Sequence, residues 1–278
     1  MSTKSEREYV LGTDELELER LGLQHRLWVD TASELWRTAE IGPGSRVLDV
    51  GCGPGYASLD LAQLVGHTGR VVGVDLSGRF IDEAARRAGA LGLGQAAFVE
   101  GDVGELGEML GEDGDAFDAA YARWVLCFAP DTAGVLEKIA ERVRPGGRVI
   151  VQDYFNYRAF TAGPHDPRFT VFQRAVEASW QDSGGNPDVV GIVPGILQGL
   201  GFKVEVLRAH QRVCRPGEAM WAWPDTWFRS FGPRLVESGH MSEGELGDLM
   251  ALWAEMSGDA SRFLVPPPVW DVVARKLG

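Results

Sequence analysis

Three glycines and two aspartates have a spacing that could bind a small polar ligand. Gly51, Gly53 and Gly55 occur in the stretch VLDVGCGPGYASLDLA, where an apolar run leads directly into a helical pattern. Glycine lets the backbone turn tightly and approach a ligand, and the helix start that follows offers free N–H donors. Asp49 lies just before the first glycine, and Asp75 ends the next apolar run. The pattern therefore predicts a ligand site at the end of the first run.

The charge and spacing around the glycines indicate what kind of ligand this would be. In the dinucleotide fingerprint the third glycine stands one residue later, at the position that Tyr56 occupies here. Asp49 would repel a pyrophosphate, whereas it would attract the ammonium group of an amino acid. These features favour a positively charged ligand without phosphate. A nicotinamide dehydrogenase, which would bind a pyrophosphate here, is therefore the function that the sequence supports least.

The combination resembles motif one of the class I methyltransferases, which use S-adenosylmethionine. Further similar stretches are VVGVDLS, EGDV and RVRPGGRVIVQDY, so the resemblance covers roughly residues 41–155. It implies that S-adenosylmethionine is the cofactor, that Asp75 accepts hydrogen bonds from the ribose hydroxyls and that Asp102 accepts from the adenine amine. The cofactor contacts implied within this region are Asp49, Gly51, Gly53, Asp75, Leu76, Asp102, Val103 and Arg123.

The elements that must position these residues follow from the alternation of apolar runs with helical patterns. Strands are predicted at residues 46–50, 71–75, 97–100, 117–121, 148–152, 202–207 and 269–274. Helices between them are predicted at residues 56–65, 78–91, 103–110, 132–143 and 192–200. Runs that are apolar nearly throughout are typical of strands covered on both faces. We therefore predict an α/β fold with a doubly wound, mostly parallel, seven-stranded Rossmann-like methyltransferase sheet.

Segments outside this alternation are predicted to be mainly helical and to cover the sheet. The expected divisions are a lid at 1–44, a cofactor-binding core at 45–153, a helical insertion at 154–190, a core continuation at 191–209, a helical cap at 210–262 and a final core strand at 263–278. Asp14 with Glu17, and Ser242 with Glu245, have the spacing of helix N-terminal caps. After the first cap, one helix face is expected to carry Leu16, Arg20, Leu23 and Leu27.

The tryptophans are concentrated in these covering segments. Of the nine in the chain, Trp124 is the one that falls within residues 45–153. Aromatic side chains with a polar edge suit an apolar ligand pocket, although each ring could instead pack a helix onto the sheet. The expected substrate contacts are Trp28, Trp124, Trp180, Trp223 and Trp227.

The N-terminal segment is similar to the lid of small-molecule methyltransferases. The resemblance implies that Tyr9 and Gln24 contact the cofactor and that His25 faces the active site. Because a sulfonium already activates the methyl group, the protein mainly has to align a nucleophile and exclude water. A base is needed only for a protonated acceptor, and His25 and Tyr154 are the catalytic candidates, ahead of Asp153 and His165. We recognise no Asp and His set for a metal and predict none.

Composition excludes several other classes of partner. The 27 Lys and Arg against 40 Asp and Glu give a net charge of −13, which repels a nucleic-acid backbone. The apolar runs are far shorter than the roughly 20 residues that span a bilayer, and the polar first 20 residues or so do not predict a secretory leader. Three scattered cysteines are expected to stay reduced. The sequence thus predicts a cytoplasmic protein with no membrane partner.

The function predicted from the sequence is transfer of a methyl group to a small, largely apolar or aromatic metabolite. Two alternatives stay open. The same fold could run a different reaction, such as a cyclisation, or it could hold the cofactor without turnover. The identity of the acceptor, the atom that is methylated and the oligomeric state are also left open.

Overall fold

The computed structural model describes residues 13–110 and 116–278. The strands are β1 (Arg46–Val50), β2 (Arg70–Asp75), β3 (Ala96–Glu100), β4 (Phe117–Arg123), β5 (Val143–Tyr154), β6 (Thr161–Gly163), β7 (Phe202–His210), β8 (Phe263–Val265) and β9 (Val269–Lys276). The helices are α1 (Glu15–Thr38), α2 (Tyr56–Val65), α3 (Gly78–Leu91), α4 (Leu106–Leu110), α5 (Thr132–Arg142), α6 (Pro167–Asp182), α7 (Val193–Gly199), α8 (Ala222–Glu237) and α9 (Glu243–Ser257).

Seven of these strands form one sheet in the order β3-β2-β1-β4-β5-β9-β7. The pairs from β3 to β5 are all parallel, whereas β9 is antiparallel to both of its neighbours. The predicted mostly parallel seven-stranded sheet is therefore confirmed. Strand order reverses between β1 and β4, and open α/β sheets bind ligands at such a point, beyond the carboxyl ends of the strands.

Alternation of side chains along the central strands divides the apolar residues between two cores. Val47 and Ile150 lie in the core that also contains the second half of α1, and Leu48 and Val151 lie in the core shared with the cap helices. All four side chains are fully buried. The sheet is thus covered on both faces, as the continuous apolar runs predict.

The turn before β5 differs from the expected boundary. α5 ends at Arg142, and Val143 already pairs with Phe117 of β4. The register then shifts before Ala119 pairs with Arg148, because the intervening Pro145-Gly146-Gly147 bulges out of the ladder. The strand predicted at 148–152 is therefore the regular part of a longer β5.

The strand predicted at 269–274 is confirmed, but the first residues of the 263–278 segment do not belong to the core sheet. Phe263–Val265 pairs with Thr161–Gly163 in a separate two-stranded sheet, and the core strand begins only at Val269. Between them lie Pro266, Pro267 and Pro268, which have no N–H to donate to a ladder. The prolines therefore divide the segment, and the helical insertion contributes a strand as well.

The predicted cap of α1 is present, since the Asp14 side chain accepts a hydrogen bond from the Glu17 N–H at 3.0 Å. The expected face is wrong at Leu16, whose side chain is 68% exposed. The helix instead turns Leu18 and Trp28 inward, together with the charged pair Glu17 and Arg20. Periodicity alone did not indicate that polar residues of this helix are buried.

The cap consists of α8 and α9, which pack on each other and on α6 of the insertion. Ser242 and Glu245 form the predicted capping box at the start of α9. Within residues 13–110 and 116–278, no helix combines the length and apolar character needed to cross a membrane.

Candidate active site

The glycine turn lies at the carboxyl end of β1, directly before α2. Gly51, Gly53 and Gly55 have φ angles of +65°, +54° and +81°, in the left-handed region that favours glycine. A Cβ atom on Gly51 would overlap the Val125 side chain, whereas one on Gly53 would enter open space. The backbone at Gly53 is therefore bare where a ligand could approach it.

The two predicted carboxylates support this turn from β1 and β2. Asp75 accepts hydrogen bonds from the Gly53 N–H at 2.8 Å and from the Ser77 N–H at 2.9 Å. Asp49 accepts one from the Ser58 hydroxyl. Burial raises the pKa of Asp49 to about 6, against the opposing effects of Ser58 and Arg123, and burial also raises the pKa of Asp75. Asp49 is thus a buried carboxylate with no full counter-charge, able to pair with a cation.

A cavity with about 1050 Å³ of space free of protein atoms, counting its opening to solvent, lies above the turn. One end is polar and is lined by Gln24, His25, Asp49, Gly51, Gly53 and Arg123. The other end is aromatic and is lined by Trp124, Tyr154, Tyr157, Trp180, Trp223 and Trp227. The structure therefore brings most of the sequence-predicted site residues into one cavity, whose polar and aromatic sets of lining residues meet at Gln24 and Trp223.

Arg123 connects the polar end to α1, the helix of the predicted lid. Its Nη2 atom donates to His25 Nδ1 at 2.8 Å, and His25 Nε2 lies 2.9 Å from Asp60 Oδ2. Burial lowers the pKa of His25, although Asp60 opposes this effect. His25 is therefore a neutral imidazole with both ring nitrogens engaged. In this arrangement it has no free nitrogen with which to take a proton from an acceptor.

Gln24 connects the lid helix to the cap. Its Oε1 atom accepts from Arg20 Nη1 and from the Trp223 indole N–H, each at 2.9 Å. Arg20 in turn forms a double hydrogen bond to Glu17 and lies 5.2 Å from the centre of the Trp227 ring. The predicted cofactor contact Gln24 thus also closes one side of the cavity.

Aromatic contacts build the other end. Trp124 lies 6.1 Å from Trp223 and 6.3 Å from Tyr154, measured between ring centres. The centre of the Trp180 ring lies 6.0 Å from that of Tyr154 and 6.2 Å from that of Trp227. Trp124 has a positive φ of +54°, a strained backbone conformation for a large residue. The end of β4 therefore holds its indole in a specific place above the sheet.

Trp28, also predicted to contact substrate, lies behind this wall. Its side chain is fully buried and packs edge-on against Trp124 and Trp223. It is not among the residues that line the cavity. Trp28 supports the rings in the wall and does not reach the space inside it.

The other base candidates do not supply a free base either. Burial raises the pKa of Tyr154 well above its usual value, so its phenol stays protonated and can only donate or accept a hydrogen bond. Asp153 accepts from the Cys127 and Tyr154 N–H groups and holds the loop after β4. His165 contacts the Thr161 hydroxyl outside the cavity.

The residues predicted to bind adenine lie at the ends of the next two strands. Asp75 and Glu100 are register partners, which places Leu76 close to Asp102 and Val103. Leu76 is 40% exposed, and Asp102 accepts a hydrogen bond from the Gly104 N–H at 2.9 Å. None of these three is part of the cavity wall. Tyr9 lies outside the described residues.

Two residues that hold the polar end from outside the cavity have no signal in the sequence. Asp60 contacts His25, and Ser58 donates to Asp49. Both lie within α2, where the sequence pattern does not distinguish them from other helix residues, and only the packed position of α1 brings His25 to Asp60. Among the described residues, no three His, Cys, Asp or Glu side chains are grouped to hold a metal ion.

A family described as "Methyltransferase domain" matches residues 41–184, just over half of the chain. The chain belongs to the class I S-adenosylmethionine-dependent methyltransferases. The matched region of this methyltransferase includes the glycine turn, Asp49, Asp75 and Arg123. The predicted family is therefore confirmed.

The methyltransferase is similar in sequence to enzymes named for quinone substrates. It is 33% identical over 156 residues to a 2-phytyl-1,4-naphtoquinone methyltransferase from Synechococcus elongatus, covering 56% of this chain and 61% of that one. It is 35% identical over 127 residues to a demethylmenaquinone methyltransferase from Bacillus cereus, covering 46% and 51%. The chain thus spans between half and two thirds of the length of these relatives.

Solved structures share the fold at lower identity. A candidate methyltransferase from Bacillus halodurans superposes with a TM-score of 0.61 at 20% identity, over 88% of this chain and 98% of that one. The 4+2 cyclase SpnF superposes with a TM-score of 0.55, also at 20% identity, over 90% and 82%. At this identity the likeness shows the fold alone.

The residues at the polar end fit S-adenosylmethionine. The bare backbone at Gly53 leaves room for it, and Asp49 carries the charge that its ammonium requires. The Nη1 atom of Arg123 is buried and has no hydrogen-bond partner within the described parts of the chain. An anionic group such as the cofactor's carboxylate would satisfy this donor.

Proposed function

We propose that this methyltransferase transfers the methyl group of S-adenosylmethionine to a small oxygenated aromatic acceptor of the reduced quinone or phenol class. The observation that carries the proposal is the single cavity in which the glycine turn and Asp49 face one end and the aromatic wall forms the other. The names of the two sequence relatives support an aromatic acceptor of this class. The cofactor supplies an electrophilic methyl group.

The acceptor has to arrive as a nucleophile or become one without a strong base. An oxidised quinone ring is itself electrophilic, whereas its reduced or phenolic form carries the electron density that attacks a methyl group. Both ring nitrogens of His25 are hydrogen-bonded, the Tyr154 phenol stays protonated, and Asp153 does not line the cavity. We therefore propose that the acceptor's proton leaves to solvent before or after transfer and that no side chain abstracts it.

The chain's own residues would act mainly by alignment and exclusion of water. Flat rings at Trp124 and Trp223 would hold a flat acceptor by stacking or edge contacts. The connection from Gln24 to Trp223 closes the cavity beside them. Orienting two reactants in a dry site can remove several kcal/mol of barrier, roughly 7–11 kcal/mol in favourable cases.

The test is an assay of the purified enzyme with methyl-labelled S-adenosylmethionine and a panel of 1,4-naphthohydroquinones, simple phenols, RNA and an unrelated protein. We expect label in the aromatic acceptors and a mass gain of about 14 Da, with S-adenosylhomocysteine formed in equal amount. Label confined to RNA or protein would refute the proposal. A product of unchanged mass would instead favour a non-methylating reaction, and cofactor binding without product would favour a binding protein.

A further inference from the structure

Three charged or polar side chains from three different elements form a chain that ends in the cavity. Asp60 lies on α2, His25 on the lid helix α1 and Arg123 at the end of β4. Asp60 Oδ2 is 2.9 Å from His25 Nε2, and His25 Nδ1 is 2.8 Å from Arg123 Nη2. Asp60 is partly exposed, whereas the His25 side chain is buried. The polar chain therefore runs from the surface inward to the wall of the cavity.

The chemistry of arginine sets the direction of both hydrogen bonds in the polar chain from Asp60 through His25 to Arg123. A guanidinium donates and never accepts, so His25 Nδ1 must be the acceptor and carry no proton. The remaining proton is then on Nε2, which donates to the Asp60 carboxylate. Asp60 thus stabilises the one neutral tautomer of His25 that can hold Arg123.

Arg123 is held at one end and has an unpaired donor at the other. Its Nη1 atom is buried without a hydrogen-bond partner among the residues that the structure describes. A buried donor without a partner is rare in folded proteins and costs free energy unless a ligand supplies the acceptor. A guanidinium held in a fixed plane is well suited to a carboxylate.

The position of Arg123 relative to Asp49 indicates which ligand would supply the carboxylate for Arg123 Nη1. Asp49 and Tyr121 are register partners on adjacent strands, so Arg123 follows two residues beyond the level of Asp49. One negative and one positive side chain thus face the same end of the cavity. The amino-acid part of S-adenosylmethionine carries an ammonium and a carboxylate, which match this pair.

We propose that Asp60 and His25 are positioning residues that hold Arg123 so that its free Nη1 end binds the carboxylate of the cofactor's methionine part. This inference rests on the proposed function, because it takes S-adenosylmethionine as the ligand. It assigns His25 a role in cofactor binding and none in proton abstraction. It also gives Asp60, remote from the reacting atoms, an effect on cofactor affinity.

The test measures the dissociation constants of S-adenosylhomocysteine and of decarboxylated S-adenosylmethionine by calorimetry. Asp60→Ala removes the partner of His25 Nε2. Of two substitutions at His25, Asn keeps an oxygen near the Nδ1 position that can accept from Arg123, whereas Gln keeps only a group near Nε2. Asp182→Ala is the matched control, since Asp182 pairs with His240 at 3.0 Å and neither residue lines the cavity.

We expect D60A and H25Q to weaken S-adenosylhomocysteine binding about tenfold, the loss of one charge-assisted hydrogen bond. H25N should retain affinity within about threefold although it also loses the contact to Asp60, because an amide oxygen can accept from Arg123 without a tautomer for Asp60 to fix. D182A should bind as the wild type does. Affinity for the decarboxylated cofactor should be the same in D60A, H25Q and the wild type, because that ligand has no carboxylate for Arg123 to bind. Thermal unfolding of each variant checks that it is folded.

Each outcome separates the positioning role from the proposed function. If the wild type binds neither ligand, the proposed function fails, and the inference fails with it. If the wild type binds but D60A and H25Q bind equally well, only the positioning role is overturned. Equal losses for both ligands in D60A and H25Q would also overturn it, because they would indicate a merely structural contact. Arg123→Lys provides a second check, with a loss of about tenfold or more expected for S-adenosylhomocysteine alone.

Discussion

At the scale of single residues, burial decides what the polar side chains of the site can do. Asp49 and Tyr154 are both deeply buried, and in both cases burial raises the pKa. For Asp49 the result is a carboxylate whose charged form is disfavoured by burial and would be stabilised by a bound cation. For Tyr154 the result is a phenol that stays protonated. The same physical effect thus gives the cavity a carboxylate suited to a cation and a phenol that can donate a hydrogen bond.

Asp49→Asn should stabilise the ligand-free protein and weaken cofactor binding. The pKa of about 6 means that at pH 7.5 the folded state holds a charge that burial disfavours. Removing this charge should raise the free energy of unfolding by roughly 1–3 kcal/mol, since each pKa unit corresponds to about 1.4 kcal/mol. Urea unfolding and calorimetry with S-adenosylhomocysteine measure the two effects. An unchanged dissociation constant would contradict the role given to Asp49.

Tyr154→Phe should lower kcat by less than about tenfold and leave the pH profile of kcat unchanged. The reason is that a protonated phenol cannot act as a base, and a lost general base costs roughly a hundredfold or more. Tyr157→Phe is the matched control, because burial raises the pKa of Tyr157 in the same way. A hundredfold lower kcat in Y154F, together with a shifted acidic or basic limb in the pH profile of kcat, would show that Tyr154 acts as a base.

At the scale of elements, the site is made where a strand end, a glycine turn and two covering helices meet. β1 and β4 contribute Asp49 and Arg123, because their carboxyl ends flank the reversal in strand order. α1 covers the polar end and connects through Gln24 to Trp223 of α8. Neither helix is part of the sheet, so the cavity exists only when lid and cap are docked together.

The glycine turn gives a prediction with an internal control. Gly53 and Gly92 both have positive φ angles, +54° and +68°, and at both positions an added Cβ would meet no atom within 4 Å. Substitution of either glycine by Ala should lower the stability by about 1–2 kcal/mol through backbone strain. Only G53A should weaken S-adenosylhomocysteine binding, since Gly53 lines the cavity, whereas Gly92 follows the end of α3 and does not. Equal affinities in calorimetry would show that no ligand approaches Gly53.

At the scale of the whole molecule, two sets of carboxyl groups have opposite effects on stability. Burial raises the pKa of Asp49 and Asp153 to about 6, above the ordinary value of 3.8. At the surface, hydrogen bonds from Arg86 and Arg87 lower the pKa of Glu83 to about 2, and Arg168 lowers that of Asp166. The buried set is destabilising when charged, and the surface set is stabilising when charged.

Stability should therefore rise as the pH falls from about 7 to about 5 and then decline below about 4. Between pH 6 and 4 the folded state binds more protons than the unfolded state at Asp49 and Asp153, so lowering the pH favours folding. The lowered pKa of His25 acts in the opposite direction, because the unfolded state takes up that proton first. The carboxyl groups outweigh this one histidine, since burial raises the pKa of Asp75 and Glu17 as well. Below pH 4.5 the paired surface carboxylates begin to lose their stabilising contribution, which is small because solvent screens it. Urea unfolding between pH 8 and 3.5 measures this, and a continuous decline from pH 7 to 5 would contradict it.

The sequence by itself determined the sheet and the glycine turn with its two aspartates, because both depend on local patterns. Apolar runs, a glycine turn and strand-end aspartates act within a few residues of one another, so α2 and α3 and the places of Asp49 and Gly53 could be predicted. Tertiary structure alone decided the rest. It buried the Glu17 and Arg20 pair, placed Trp28 behind the wall, paired Phe263–Val265 with Thr161–Gly163 and brought Asp60 to His25. These depend on which helix faces meet across long separations in the chain, and contacts of that kind leave no period or spacing in the sequence.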